Sequence, residues 1–104
     1  MSVNKVILLG NVGADPEMRY PEQGVCIAKM PLATNERKGD LEITEWHRLV
    51  MTGKNAEIAE KYIRKGTTLY VEGKLRTSTL EDKLQIKRSV TEIYVDKFEL
   101  LGRR

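Results

Sequence analysis

Trp46 and Arg48 are the residues whose types and spacing best suit a defined chemistry. They lie in the segment 44–48 (TEWHR), which holds the only Trp and the only His of the sequence. In a β-strand, side chains alternate between two faces, so Trp46 and Arg48 would share a face with Thr44 and Thr52. The opposite face, with Ile43, His47, Leu49 and Met51, is predicted to face the core. A flat ring beside a guanidinium suits a single-stranded nucleic acid, whose bases expose π faces and whose backbone is anionic. The segment alone leaves open that Trp46 packs in the core or at an interface.

The remaining reactive side chains do not indicate an enzyme. The only His has no Ser or Cys constellation beside it, so no nucleophilic triad is available. His47 lies on the apolar face of its strand, which favours a packed or interface histidine. Gly53-Lys54 lacks the upstream glycine and the following Ser or Thr of a phosphate-binding loop. One His and one Cys are too few for a zinc site, so we predict no metal and no cofactor, and Cys26 is interpreted as a small core residue.

Composition predicts one small soluble domain spanning residues 1–104. The chain is 40% hydrophobic and 32% charged, and it is small enough to gain stability from oligomerisation. Its net charge of +3 permits an anionic partner without requiring one. No apolar run approaches membrane-spanning length, and no leader peptide is recognisable at the N-terminus. We therefore expect a cytoplasmic protein that has no membrane partner.

The elements that must position these residues follow from hydrophobic periodicity. Strands are predicted over residues 3–9, 25–34, 43–52, 67–77 and 89–101, and a helix over residues 55–65. Asn55 is the predicted helix cap and Gly66 the predicted stop. Pro31 lacks a donor for the sheet, so its strand should lie at an edge or carry a bulge there. We expect residues 35–40 to form a hairpin tip and residues 78–87 a long mobile hairpin.

The last two strands show which side chains face inward. In residues 67–77 the alternation turns Leu69, Val71 and Leu75 inward and Tyr70, Glu72, Lys74 and Arg76 outward. In the final strand a shift of apolar parity between Val95 and Phe98 indicates a bulge. Three strands, a helix and two strands is the order of an OB-fold, so the predicted fold is all-β with one helix. It is a five-stranded Greek-key barrel with the helix between strands 3 and 4, and its open face suits oligonucleotides.

Several segments resemble bacterial single-stranded DNA-binding proteins. They are residues 4–13 (NKVILLGNVG) with 15–20 (DPEMRY), residues 44–48, and residues 70–77 (YVEGKLRT), with shorter matches in the same order at 32–34, 62–66, 91–93 and 100–102. The resemblance runs from Val3 to Gly102. It implies an OB-fold that coats single-stranded DNA in replication, recombination and repair, with little sequence preference and no catalysis. It also implies a homotetramer built from two dimers, although the sequence does not decide between dimer and tetramer.

The resemblance also implies site residues. It supports Trp46, Arg48, Lys54, Lys65 and Arg19 most directly as DNA-binding residues. Lys74 and Arg76 on a flanking strand, and Lys38, Lys87 and Arg88 in the polar loops, complete the predicted set. For each cation taken alone, the alternative is an ordinary solvated surface charge. The oligomer interface is expected to include Lys5, His47, Tyr70, Glu72 and Thr91.

The chain departs from the resembling family at two places. Where family members commonly carry further stacking aromatics, this sequence has Lys38, Thr52 and Leu80, so Trp46 is the only one of the main stacking residues that remains. We therefore expect binding that depends more on charge and is weaker and relatively more sensitive to salt. The sequence also ends at Gly102-Arg103-Arg104, where the family usually continues into a polar tail with an acidic tip. We expect no recruitment of replication and repair partners through such a tail.

Three alternative functions remain open from the sequence. The first is a primosomal replication accessory, a related OB-fold dimer that acts mainly through protein contacts. The second is an RNA-binding, cold-shock-like module, although the Phe-rich strand motifs of that class are missing. The third is a purely structural oligomer that binds no nucleic acid.

Overall fold

The computed structural model describes residues 1–103 of the chain. Its elements are β1 (Val6–Val12), β2 (Glu17–Arg19), β3 (Ile27–Lys38), β4 (Leu41–Thr52), α1 (Gly53–Tyr62), β5 (Thr67–Glu81) and β6 (Lys87–Arg103). The expectation of a missing tail concerns residues 102–104, of which Arg104 lies outside the described residues. None of the described residues belongs to a helix that is long and apolar enough to cross a membrane.

The strands close into a barrel. Around it, β1 pairs with β5, β5 with β6, β6 with β4, β4 with β3, and β3 with β1. All these pairs are antiparallel except β4–β6, a short parallel contact in which Leu49 opposes Ile93 and Val50 opposes Tyr94. The predicted five-stranded barrel is confirmed, and α1 lies between its third and fourth strands. The additional strand, β2, is a three-residue segment in a connection that the sequence left unassigned.

Pro31 lies where β3 changes partner. On the side of β3 away from β4, residues 27–29 pair with β2 and residues 32–33 pair with β1. Pro31 has no register partner on that side. Its carbonyl accepts a hydrogen bond from the Gly13 amide at 3.0 Å. The missing donor of a proline therefore costs nothing at this position, although β3 is neither an edge strand nor bulged there, contrary to the sequence prediction.

The core fills the barrel and is covered at one end by the helix. Alternate residues of the strands point inward, among them Leu32, Leu49, Met51, Leu69 and Val71, which are fully buried. The helix contributes Ala56 and Ala59, and Ile63 follows it. Cys26 is buried in the same cluster, as expected.

The helix begins and ends earlier than predicted. Its N-cap is Thr52, which makes no side-chain capping bond, and Asn55 instead donates to the carbonyl of Asp96 at 3.3 Å. At the other end, Ile63 is already extended while its amide donates to the Ala59 carbonyl. Gly66 adopts a φ of 93° three residues later, and its amide bonds to the Val12 carbonyl rather than closing the helix.

Two ribbons extend from the barrel, and they account for two wrong predictions of burial. The distal halves of β3 and β4 form one ribbon, and those of β5 and β6 form the other. Ile43 and Leu75, both predicted to face the core, are 43% and 49% exposed. The reason is that these positions lie where the strands have left the barrel and nothing packs over them.

The second ribbon replaces the predicted mobile hairpin. Strand pairing continues to Glu81 opposite Lys87, and only residues 82–86 form the turn. The Asp82 carboxylate accepts hydrogen bonds from the amides of Leu84 and Ile86, at 2.9 and 3.0 Å. Similarly, the other ribbon narrows to a turn at Gly39 and Asp40.

The predicted bulge in the last strand lies at Asp96. Glu72 pairs with Lys97 while the next residue, Gly73, pairs with Val95, so Asp96 has no partner on β5. Gly73 is required there because a Cβ at this position would lie 2.2 Å from the Tyr94 carbonyl oxygen. The bulge restores the inward direction of the apolar residues on both sides of it.

Candidate nucleic-acid interface

The outward side chains of β2 to β6 form one continuous surface, which we call the outer face. Strand alternation and register place them together: Pro31 opposes Arg48, Lys29 opposes Val50, Val50 opposes Tyr94, and Arg76 opposes Glu92. The outer face carries the aromatics Trp46 and Tyr94, the cations Arg19, Lys29, Arg48, Lys74 and Arg76, and the carboxylates Glu17, Glu92 and Asp96. Its mixture of rings and cations matches what a single-stranded nucleic acid requires.

The indole of Trp46 is held in a fixed position against Gly13, which we call its seat, yet it remains accessible. Trp46 is 59% exposed, whereas Ala33, its register partner on the same side of the sheet, is buried. The indole reaches the backbone of Gly13 so closely that a Cβ there would lie 2.5 Å from its Cζ3 atom. The ring therefore fills the space left by a missing side chain. An exposed aromatic in a fixed position is suited to stacking a base, whereas the core-packing alternative for Trp46 is not what the structure shows.

A groove beside Trp46 collects charged side chains. It has a volume of about 620 Å³, and Arg19, Lys29, Pro31 and Arg48 line it together with Glu17 and Glu92. Arg19 pairs with Glu17 at 2.6 Å, and Lys29 pairs with Glu92 at 3.2 Å. Among the residues that the structure describes, Arg48 forms no ion pair. Arg48 is thus the cation of this groove best placed to meet a phosphate.

A second aromatic side chain, Tyr94 on β6, lies on the outer face on the side of β4 away from β3. The Arg76 guanidinium lies over the Tyr94 ring, with its Cζ atom 4.5 Å from the ring centroid. Lys74, also on β5, forms an ion pair with Asp96 at 3.6 Å. The predicted cations Lys74 and Arg76 therefore lie on the same surface as Trp46, with Lys74 opposite Tyr94 and Arg76 opposite Glu92.

A cleft opens between the two ribbons next to Trp46. It has a volume of about 260 Å³ and is lined by Trp46, His47 and Arg48 on one side and by Leu75 and Thr91 on the other. His47 is half-buried, and its Nε2 atom lies 2.9 Å from the Thr34 hydroxyl. That contact agrees with a packed histidine, as its strand parity predicted.

The other predicted DNA-binding cations lie away from the groove, and of these only Arg88 shares the strand parity of Glu92 and Tyr94. Lys54 is the second residue of α1, and Lys65 follows the helix, with its amide bonded to Asp15 at 2.8 Å. Lys38 lies at the tip of one ribbon. Lys87 and Arg88 lie at the tip of the other, where Arg88 is 3.8 Å from Asp82. A strand that contacted all of them would have to wrap around the barrel.

Three of the predicted interface residues meet in a single network on β1 and β5. Glu72 accepts a hydrogen bond from the Tyr70 hydroxyl at 2.7 Å and one from the Lys5 ammonium at 2.9 Å. These bonds, in that order of importance, hold the pKa of the Glu72 carboxyl below its ordinary value of 4.5. The hydrogen bond to Glu72 raises the pKa of Tyr70. The exposed Ile7 and Leu9 side chains lie beside this network, since they oppose Glu72 and Tyr70.

The remaining two interface residues lie elsewhere. Thr91 and Thr77 face one another across the second ribbon with their hydroxyls 2.9 Å apart. His47 lines the cleft between the ribbons. The predicted set of interface residues therefore forms one network plus two separate positions.

Sequence reasoning missed Tyr94, Lys29 and Glu92 as members of the site. Glu92 and Tyr94 flank the inward Ile93, so the alternation of β6 already turned both of them outward. What the linear pattern could not supply is their neighbours. The contact of Glu92 with Lys29 depends on the parallel β4–β6 pairing, and the contact of Tyr94 with Arg76 depends on the register of the antiparallel β5–β6 pairing.

Comparisons with known proteins agree with this geometry. Residues 3–101 match the sequence profile described as "Single-strand binding protein family". A protein of Bacteroides thetaiotaomicron, named single-stranded DNA-binding protein, is 48% identical over 109 aligned positions, which cover 98% of this chain and 68% of that relative. A solved structure described as the Plasmodium falciparum SSB complex with ssDNA superposes with a TM-score of 0.87 at 33% identity, covering 100% of this chain and 97% of that one.

Proposed function

Because the chain belongs to the single-strand binding protein family, we propose that it binds and protects single-stranded DNA without strong sequence preference. The observation that carries this proposal is the seated, 59% exposed indole of Trp46 beside the groove that contains Arg48. The protein acts by binding alone, and no catalytic role is proposed for any residue.

Bases are held by stacking. A base that leaves a duplex exposes both π faces, and an aromatic side chain that covers one of them contributes about 1–3 kcal/mol. Trp46 needs no hydrogen bond to do this, so any base is accepted. A duplex keeps its bases stacked on one another and cannot offer them to the indole. The arrangement therefore selects single strands over duplexes while it discriminates little among sequences.

Phosphates are held by the cations around the indole. Arg48 and Arg19 line the same groove, and Lys74 and Arg76 continue the basic surface across β5. Lys54, Lys65, Lys38, Lys87 and Arg88 are proposed as secondary contacts along a path that wraps the barrel and its ribbons. Binding should weaken as salt rises, because each phosphate contact releases condensed counterions.

The protein is proposed to act as a homo-oligomer, a dimer or a tetramer of two dimers. The Lys5–Tyr70–Glu72 network and the exposed Ile7 and Leu9 form a mixed polar and apolar surface on β1 and β5. Such a surface is suited to contact a second copy, with Thr91 and His47 as further predicted contacts. Coating of single strands in the cytoplasm, during replication, recombination and repair, is the role that this assembly would serve.

The accessory, RNA-binding and purely structural alternatives gain no support from these observations. The family match and the structural neighbour both concern single-strand binding proteins.

Fluorescence of Trp46 tests the proposal directly, since it is the only Trp of the chain. We expect strong quenching by oligo-dT and little quenching by a duplex of the same length, with weaker binding at higher salt. An equal response to RNA of the same length would favour the RNA-binding alternative. Absence of both quenching and binding at low salt would refute the proposed function.

A further inference from the structure

We propose that Arg76, held over the ring of Tyr94, is a second base-stacking platform on the outer face. This inference rests on the proposed function and adds a site to it. It assigns Arg76 the role of stacking a base, in place of neutralising a phosphate, and it makes Tyr94 the residue that positions it.

The side chain of Arg76 is already held in place. Its Cζ atom lies 4.5 Å from the centroid of Tyr94, which is the geometry of a cation–π contact. Tyr94 is half-buried, and its register partner Val50 is only 3% exposed although Val50 also points to the outer face. Side chains of the outer face therefore cover Val50, and the tyrosine ring is anchored to the sheet.

The guanidinium of Arg76 is not engaged by a carboxylate. Arg76 opposes Glu92 in the register, yet the Glu92 carboxylate lies 3.2 Å from the Lys29 ammonium. Within residues 1–103, Arg76 forms no ion pair. The side chain is exposed, so the side of the guanidinium away from Tyr94 is open to a ligand.

The chemistry of the guanidinium suits base stacking. Unstacked bases are received by aromatic rings and equally by the planar guanidinium of arginine. A guanidinium that rests on a ring is pre-organised, so less side-chain entropy is lost when a base stacks on it. Tyr94, Arg76 and the base would then form a three-layer stack, with the positive charge in the middle layer.

The position of this platform suits a strand that also contacts Trp46. Trp46 precedes Val50 by four residues on β4, or about 13 Å at the rise of a β-strand. Tyr94 lies one strand further across the sheet. At about 3.4 Å per nucleotide in a stacked strand, this separation spans several nucleotides, within the range of about 4–16 that one OB-fold binds.

The test compares variants of the whole chain in binding a fluorescein-labelled oligo-dT by anisotropy. Arg76→Lys keeps the charge and loses the plane, and we expect its affinity to fall about fivefold with the salt slope unchanged. Tyr94→Leu keeps an apolar cover on the sheet and should cause a similar loss, whereas Tyr94→Phe retains the ring and should bind within about twofold of the wild type. Tyr62→Leu, on the exposed surface of α1, is the matched control and should bind as the wild type does.

An abasic oligonucleotide with the same number of phosphates separates stacking from charge. We expect the wild type, Arg76→Lys and Tyr94→Leu to bind it equally. The inference is overturned if Arg76→Lys binds oligo-dT as the wild type does, or if Arg76→Lys weakens both probes to the same degree. Because Arg76 is exposed, Arg76→Lys remains informative even if a Tyr94 variant fails to fold. If the wild type itself does not bind oligo-dT, the proposed function fails, which is a different result.

Discussion

Replacing Gly13 with alanine should displace Trp46 while leaving the barrel intact. A Cβ at Gly13 would lie 2.5 Å from Cζ3 and 2.7 Å from Cη2 of the indole. Carbon atoms in contact prefer about 3.5–4.0 Å, so the ring must move by about 1 Å or more. The atoms in the way belong to the far end of an exposed side chain, which can swing toward solvent. Gly13 is also not among the glycines with positive φ, so alanine introduces no backbone strain there.

The expected loss of affinity follows from the free energy of base stacking on the indole. Stacking on an aromatic is worth about 1–3 kcal/mol per base, which corresponds to about 5- to 150-fold in affinity. Complete removal of the ring in Trp46→Ala should reach that range. In Gly13→Ala the ring remains but is no longer pre-positioned, so we expect a loss of about fivefold, near its lower end. The free energy of unfolding should change by less than about 1 kcal/mol, as is usual for a substitution that only displaces a surface side chain.

Gly10→Ala is the matched control, because it also adds one methyl group to a glycine, three residues earlier and within β1. There the added Cβ would lie 2.2 Å from the Ala33 carbonyl oxygen, and a backbone atom within the sheet cannot swing away. Gly10→Ala should therefore lower the melting temperature clearly, whereas Gly13→Ala should lower only the affinity for oligo-dT. If Gly13→Ala binds as the wild type does while Trp46→Ala loses affinity, the seat does not position the indole and the reasoning is wrong.

Further predictions concern carboxylates and one phenol. Glu92→Gln should release Lys29, increase the affinity for oligo-dT at low salt and steepen the salt slope by about 0.7, measured by anisotropy. Glu72, whose pKa is lowered, contributes stability above its ordinary pKa of 4.5, and this is lost as the pH falls through the lowered pKa; Glu72→Gln should flatten that acid loss in urea titrations. The hydrogen bond to Glu60 raises the pKa of Tyr20 to about 12, so its contribution is complete below pH 10 and is lost between about pH 10 and 12; Tyr20→Phe should abolish this alkaline dependence in thermal melts.

The barrel could be predicted from the sequence because its walls obey short-range periodicity. Alternation along β4 and β5 and the helical spacing in α1 each depend on residues a few positions apart. The ribbons could not be predicted in the same way. Ile43 and Leu75 continue the apolar alternation of their strands beyond the end of the barrel, and nothing in that alternation shows where the opposing layer stops.

In the candidate site, too, features that depend on residues close in sequence could be predicted, and features that depend on strand neighbours could not. Trp46 and Arg48 share a face because they are two residues apart, and Arg19 was predicted through the family resemblance. The Lys29–Glu92 pair and the Arg76–Tyr94 stack instead depend on which strands become neighbours. In particular, β4 meets β6 in parallel over only two residue pairs. Such a short contact leaves little trace in either strand's own pattern, so the Lys29–Glu92 pair was out of reach of the sequence. The Arg76–Tyr94 stack depends instead on the register of the β5–β6 hairpin, which the bulge at Asp96 shifts by one residue.

The paired cations change what salt dependence should be expected. If Arg19, Lys29, Arg48 and Lys74 were all free and each met one phosphate, the logarithm of the affinity would fall with a slope of about −3 against the logarithm of the salt concentration. Arg19, Lys29 and Lys74 already have carboxylate partners at 2.6, 3.2 and 3.6 Å. A phosphate that reaches one of them replaces a carboxylate, so the gain in attraction and the number of counterions released are both reduced.

We therefore expect these four cations together to contribute a slope shallower than about −3 per chain, in contrast to the strong dependence on charge that the loss of aromatics suggested. Arg48 should contribute more to the slope than any paired cation, and Arg48→Gln should reduce it by about 0.7, whereas Arg19→Gln should reduce it less. Titrations of the two variants with oligo-dT at several salt concentrations measure these slopes. Equal reductions for the two variants would show that the carboxylates do not compete with DNA. In that case the number of basic residues would be the better guide to binding.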